Sequence, residues 1–191
     1  MAATTQRPIT MNTSSSSASP VDDRHLPPGV RHVSRLLAEL GHGHAPTMLQ
    51  VAARTAQEAA DALGISLGQI AKSVVFRRKA DDRAVLVVTS GDKRVDERKV
   101  AALVCPPGTG GLGRADADFV KASSGYSIGG VAPLGHVQAP VTLIDRELFR
   151  FDVVWAAAGH PNGVFPASPD ELVRLTGGAP VADVVQAQAP A

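Results

Sequence analysis

Two β-branched runs, Lys72 to Arg77 and Ala84 to Thr89, flank a polar turn containing Asp81 and Asp82, and this pattern commits the middle of the chain to an antiparallel hairpin. Side chains two apart in a strand share a face, so in Ile70-Ala71-Lys72-Ser73-Val74-Val75-Phe76 the lysine lies with Ile70, Val74 and Phe76. That face is expected to be the buried one. An unpaired buried ammonium is costly, so a lysine kept there either reaches water along its stem or works against an anionic ligand. Lys72 is therefore the first functional candidate, with both readings open and no carboxylate partner evident nearby in sequence.

Around this hairpin the periodicity is helical. Val33, Leu36, Leu37 and Leu40 recur at helical spacing and stop at Gly41. Thr55 with Glu58 forms a capping-box pattern for a second helix, whose Ala59, Ala60 and Leu63 face inward and whose end is Gly64. Asp96 caps a helix running to about Val104, with Val95 and Val100 as a hydrophobic staple, and a shorter helix spans Asp116 to Ala122. The link between these two reads as a Pro and Gly loop. A glycine-rich loop from Gly125 to Gly135 precedes two strand-like runs, Val141 to Ile144 and Val153 to Ala157. Ser168, Pro169 and Glu171 open a last helix that closes at Gly177-Gly178. This order is not a strict βαβ alternation, so an α+β domain with a largely antiparallel or mixed sheet is expected.

With 191 residues, 44% of them hydrophobic, the chain supports one domain with a real core, predicted over residues 22–185. Residues 1–21 are rich in Ser, Thr and Ala and are expected to be a disordered tail; residues 186–191 are expected to fray. Lys plus Arg at 19 against Asp plus Glu at 18 leaves a net charge of +1, too little for a global basic field, so any RNA binding needs a local patch. Arg77, Arg78 and Lys79, with Lys93 and Arg94, are the candidates for it, and they are expected to meet across the hairpin; a solvated rim of charge is the alternative. No apolar run approaches the roughly 20 residues of a membrane span, and the charged-then-apolar order of a signal peptide is missing. A cytoplasmic protein, without membrane or DNA partners, is expected. The single Cys105 excludes an internal disulfide and reads as a small, inert hydrophobe.

Four motifs are ambiguous. Gly108, Gly110 and Gly113 fit G-x-G-x-x-G, but Pro106-Pro107 precede them instead of a strand, which makes the segment a loop. Gly125-Tyr126-Ser127-Ile128-Gly129 fits the G-x-S-x-G elbow, and Asp145 and His160 follow in hydrolase order, yet Gly129, Gly130 and Pro133 stand where a helix is required. His42 and His44 lie two apart in a glycine loop, read as solvated, and no metal site is expected. His160, in Gly159-His160-Pro161-Asn162-Gly163 directly after an apolar strand, either presents its ring to a ligand or caps a turn.

Taken together, I-A-K-S-V-V-F, V-L-V-V-T-S-G-D-K-R-V-D from Val85, A-D-A-D-F-V from Ala115, Y-S-I-G-G-V-A-P from Tyr126 and A-A-G-H-P-N before Gly163 resemble the YbaK/ProX family of aminoacyl-tRNA editing domains. The resemblance spans roughly Val30 to Val185 and implies a mixed, barrel-like β-sheet flanked by helices. It also implies a trans-acting hydrolase that frees a wrongly attached small amino acid from tRNA, tRNA(Pro) foremost, with no cofactor. Free-standing members are related to a domain inserted in some bacterial prolyl-tRNA synthetases, which makes that synthetase a candidate partner beside the mischarged tRNA. By resemblance Lys72 is the essential lysine and Gly129 with Pro133 forms the G-x-x-x-P loop. Lys72 and Gly129 are then catalytic, and Ser73, Gly130, Val131, Pro133 and His160 bind substrate. Water, assisted by the terminal ribose hydroxyl, would attack without a protein nucleophile. A binding module that kept the fold without turnover, and a serine hydrolase built on Ser127, are the alternatives.

Overall fold

In the computed structural model, which describes residues 25–50, 53 and 55–187, the hairpin forms as the sequence predicts. Strand β2 (Ile70–Arg78) runs antiparallel to β3 (Ala84–Ser90), with Lys72 opposite Thr89 and Phe76 opposite Val85. Every residue of β3 is buried. Parallel β5 (Val141–Asp145) covers its other edge and carries β8 (Val181–Ala182) beyond it. On the far side of β2 lies parallel β6 (Val154–Ala157), followed by antiparallel β7 (Gly163–Ala167) and β1 (Thr47–Met48). The short β4 (Leu112–Arg114) pairs with the end of β2. The sheet is mixed, as expected.

Helices cover both faces. Helix α1 (Pro28–Glu39), α4 (Ala117–Ser124) and α5 (Pro169–Leu175) send Val33, Leu37, Val120, Leu172 and Leu175 into one core with Ala71, Leu86 and Val88. On the opposite face, α3 (Glu97–Val104) places Val100 and Val104 over Phe76, Val85 and Val87. Farther along that face, Ala59 and Ala60 of α2 (Ala56–Leu63) lie over Ile70 with Trp155 and Val164. The caps follow the sequence: Thr55–Glu58 and Ser168–Glu171 are complete capping boxes, and Asp96 and Asp116 accept from backbone amides of the first turns of α3 and α4.

Some expectations change. Leu40 caps α1 and stays 43% exposed, so the apolar stripe ends at Leu37. His42 is not solvated: it is buried, its Nε2 donates to Pro166 O (2.9 Å), its Nδ1 lies 3.4 Å from Glu171, and its ring meets Phe165 edge-on. Strand β7 escaped notice because it contains Pro166. That proline is tolerated since β1 pairs only with Gly163 and Val164, so no strand requires an amide from Pro166, and its carbonyl accepts from His42 instead. Strand β4 ends the glycine loop, with Gly113 paired to Arg77. Gln186, placed in the fraying end, is tied by its amide to Arg94 O (2.9 Å), next to a bridge between Val185 and Val95. Residues 1–21 and 188–191 lie outside the described residues. Among the described residues, no helix is long and apolar enough to cross a membrane.

One backbone contact sets the position of α1 against the turn after β6. Gly29 lies directly against the Gly159 carbonyl, and a Cβ on Gly159 would sit 2.6 Å from Gly29 O. Gly29→Ala should therefore destabilise the fold by about 1–3 kcal/mol, the usual penalty of overpacking, in urea unfolding. Gly43→Ala, at a position with open space around it, should stay within about 0.5 kcal/mol of wild type.

Candidate active site

Among the described residues, the sheet has a gap beside β2. β6 pairs with β2 only at Ile70 and Ala71, and β4 joins the same side of β2 only from Phe76. Between them, Lys72 to Val75 present a strand edge with no strand partner on that side among the described residues. Backbone groups of such an edge need water, side chains or a ligand. A cavity of about 180 Å³ opens at this gap. From β2 come Ile70 and Lys72 on one face and Ala71 and Ser73 on the other; Gly129, Val131 and Pro161 close the opposite side. Ala53, Ala56 and Ala59, with Trp155, Ala157 and Val164, make most of its remaining wall apolar, and Thr55 adds a hydroxyl.

Lys72 is held within this setting. Its Nζ donates to Gly91 O (3.2 Å) and to Lys93 O, both in the loop after β3. Carbonyl oxygens thus supply the partners that the sequence did not reveal. Burial pulls its pKa below the ordinary lysine value; Asp92 and Asp145 oppose that shift and Arg94 adds to it. Asp145 is fully buried and accepts from Thr89 Oγ1 (2.6 Å), Ser90 N and Glu147 N, which fastens β5 to the end of β3. Ser73 faces away from Lys72, and its buried Oγ has no hydrogen-bond partner among the described residues. An orphaned hydroxyl in a cavity wall is a costly feature that a ligand would relieve.

The glycine loop is rigidly mounted. Gly130 N donates to Ser127 O, closing a turn in which Gly129 has φ +89°. A Cβ on Gly129 would meet nothing closer than Pro161 Cγ at 3.9 Å, so conformation, not crowding, calls for glycine there. At Gly130 the reason is crowding: a Cβ would lie 2.6 Å from the His160 carbonyl carbon. Behind the loop, Tyr126 OH donates to Leu134 O (2.9 Å), and His136 Nε2 donates to Ala132 O (2.7 Å). Burial pushes the Tyr126 hydroxyl up to about 12, so it remains a donor throughout the neutral range.

Of the residues singled out from sequence, Lys72, Ser73, Gly129 and Val131 line one cavity, and Gly130 seats the loop against the His160 turn. Pro133 and His160 are not on the cavity wall. Pro133 is buried behind the loop, and His160 Nδ1 accepts from Asn162 N (3.1 Å), the turn-capping arrangement. The basic residues do not converge. Antiparallel pairing puts Lys93 and Arg94 beside the start of β2 and Arg77, Arg78 and Lys79 at its far end. Arg77 is bidentate to Asp82, Arg78 to Asp81, and Lys93 pairs with Glu147 at 3.0 Å. The triad order is not matched by geometry either: Ser127 is exposed and starts a turn, and the carboxylate oxygens of Asp145 accept from Thr89, Ser90 and Glu147. The alanines of the wall, Trp155 and Pro161 were missed, because no chemically active residue type marks them.

Residues 50–175 match the family model described as aminoacyl-tRNA editing domain. The chain is 32% identical over 137 residues to the uncharacterized protein YwhH of Bacillus subtilis, covering 68% of this chain and 80% of that protein. It is 25% identical over 124 residues to a protein of Enterococcus faecalis named "Putative Cys-tRNA(Pro)/Cys-tRNA(Cys) deacylase EbsC", covering 65% of this chain and 73% of that one. A crystal structure described as "a putative trans-editing enzyme for prolyl tRNA synthetase" superposes with a TM-score of 0.76 at 39% identity, covering 85% of this chain and 99% of that one.

The depressed Lys72 titration has a stability consequence. As pH rises toward 10.5, the folded protein releases the Lys72 proton while the unfolded chain still binds it, so this group raises stability with pH across the interval below 10.5. Urea midpoints of wild type minus those of Lys72→Met should rise through that interval, the subtraction removing the contributions of other groups. A flat difference would place Lys72 at its ordinary value.

Proposed function

The chain belongs to the aminoacyl-tRNA editing domain family, and on that premise we propose that it is a trans-acting deacylase that hydrolyses the ester of a small amino acid wrongly attached to tRNA, tRNA(Pro) foremost. The observation that carries this reading is the meeting of Lys72, Ser73 and the Gly129 turn in one cavity at the unpaired edge of β2. A cavity of about 180 Å³ walled largely by Ala53, Ala56, Ala59, Ala157 and Val164, with Thr55 and Ser73 as its hydroxyl-bearing members, suits a small side chain. Between small side chains that differ by one methylene, such a wall discriminates by only about 1–3 kcal/mol.

The chemistry proposed needs no protein nucleophile. Water attacks the ester carbonyl carbon, negative charge develops on the carbonyl oxygen, and the carbon–oxygen bond to the ribose breaks. The ribose oxygen takes up a proton, leaving free amino acid and tRNA. Gly130 N already closes the turn, so the amides of Gly129 and Val131, which have no acceptor among the described residues, are the donors offered to the developing oxyanion. Lys72, fixed by two carbonyls, places its charge where the terminal ribose and its phosphate arrive. Ser73 Oγ contacts the aminoacyl group. His160 stiffens the turn that seats Gly130, and Pro133 stiffens the loop from behind. Prolyl-tRNA synthetase is the proposed partner that supplies the mischarged tRNA.

A panel of mischarged tRNAs tests this in single-turnover hydrolysis. Lys72→Ala should slow deacylation by about 10²–10³-fold, the size of losing one preorganised electrostatic group, with the fold intact. Gly129→Val should be far more damaging than Ser127→Ala. Wild-type rates in Lys72→Ala would sink the proposal, and tRNA binding without turnover by wild type would leave a binding module. Labelling of Ser127 by a fluorophosphonate with loss of activity would instead favour the serine hydrolase.

Ser73→Ala provides a separate check. Removal of an unpartnered buried hydroxyl should leave the urea midpoint unchanged or raised, while KM for the charged tRNA increases. A lowered midpoint with unchanged KM would make the hydroxyl structural.

A further inference from the structure

On the face of β2 that carries Lys72, two helices cover the strand and leave an interval between them. Helix α2 lies over Ile70, and α3 lies over Phe76. Lys72 occupies the interval, and on the same face the surface continues past it as a groove of about 510 Å³. Half-buried Val74 is the apolar part of the groove's floor, with Phe76 and Val95 almost wholly buried in the core beneath it, and Lys93, Arg94, Glu97 and Gln186 form its edges. Lys72 lines both the groove and the cavity. A ligand that fills the cavity and continues beyond Lys72 along this face enters the groove.

The groove's charges are not equivalent. Lys93 Nζ is engaged by Glu147. Arg94 is exposed and has no ion pair or side-chain hydrogen bond among the described residues, although its carbonyl is fixed by Gln186 N. A guanidinium fixed at its backbone, beside an apolar floor, matches a phosphodiester followed by a base. The carboxylate of Glu97 disfavours a second phosphate farther along and can accept from an exocyclic amino group such as cytosine N4.

We propose that this groove binds the single-stranded nucleotides immediately preceding the terminal ribose of the tRNA, a phosphodiester resting on Arg94 and a base on Val74, in the interval between the two helices. The assignment rests on the editing reading of the cavity, in which Lys72 meets the terminal ribose and its phosphate and the groove continues on the same strand face beyond it. It divides the basic residues into an acceptor-end contact at Arg94 and a remote pair, Arg77 and Arg78, already neutralised by Asp82 and Asp81.

The test uses the full chain and uncharged RNA stem-loops, one with a three-nucleotide CCA overhang and one trimmed flush, titrated by fluorescence anisotropy over a KCl series. Wild type should bind the overhang RNA about tenfold tighter, the gain expected from the Arg94 contact to a phosphodiester with a base packed on Val74. Arg94→Ala should abolish most of that difference and lower the salt slope on the overhang RNA by about 0.7, with the trimmed RNA unaffected. Arg98→Ala, on the exposed side of α3 and off the groove, should retain the difference. Equal binding of both RNAs by wild type, or equal weakening of both by Arg94→Ala, would overturn the proposal. Because the RNAs carry no amino acid, the readout is independent of turnover: failure of deacylation leaves this result standing. Failure here alongside Lys72-dependent deacylation removes the groove alone.

Discussion

The pairing of β2 with β3 is the constraint on which the remaining architecture depends. β3 is buried at every residue, so all of its backbone polar groups must be met by neighbouring strands. β2 meets one edge over seven paired positions and β5 meets the other. At the end of this ladder the buried Asp145 accepts from Thr89 and Ser90, fastening β5 where β3 runs out. The same end holds Gly91 and Lys93, whose carbonyls capture Lys72. One register therefore sets both the core and the position of the candidate catalytic cation.

The site exists because the sheet stops short of completion. If β6 continued alongside β2, Lys72 to Val75 would be paired and the cavity filled. Instead, β6 turns away at Ala157, and the chain passes through the Gly159–Gly163 turn into β7. Gly29 packs against that turn from α1, and Gly130 packs against it from the glycine loop. Three segments far apart in sequence are thus locked at the mouth of the gap by backbone-to-backbone contact, which only glycine permits at so short a distance. Such a mounting gives an unpaired strand edge and a set of loop amides a fixed relative position, the arrangement that electrostatic catalysis requires.

Much of the local structure was legible because local chemistry decides it. The hairpin, the caps at Thr55, Asp96, Asp116 and Ser168, and the left-handed helix ends at Gly64 and Gly125 depend on residues close in sequence. β4 and β7 were not legible. One is three residues long and the other contains a proline, and both are strands only because a partner is present. The burial of His42 was equally invisible, since Pro166 O and Glu171, its partners, lie more than a hundred positions away.

The sequence alone determined that Lys72 lies on a covered strand face and that a glycine turn follows α4, because strand alternation and turn chemistry are properties of neighbouring residues. The resemblance of the joined motifs pointed to the family. Only the tertiary structure decided that these two features face each other across a gap in the sheet, that His160 and Pro133 stand behind the cavity wall, and that the basic residues separate into two ends of one hairpin. The physical reason is the antiparallel register itself: it brings the residues after β3 to the start of β2 and carries those at the end of β2 away, a relation fixed by strand pairing and not by the residues considered singly.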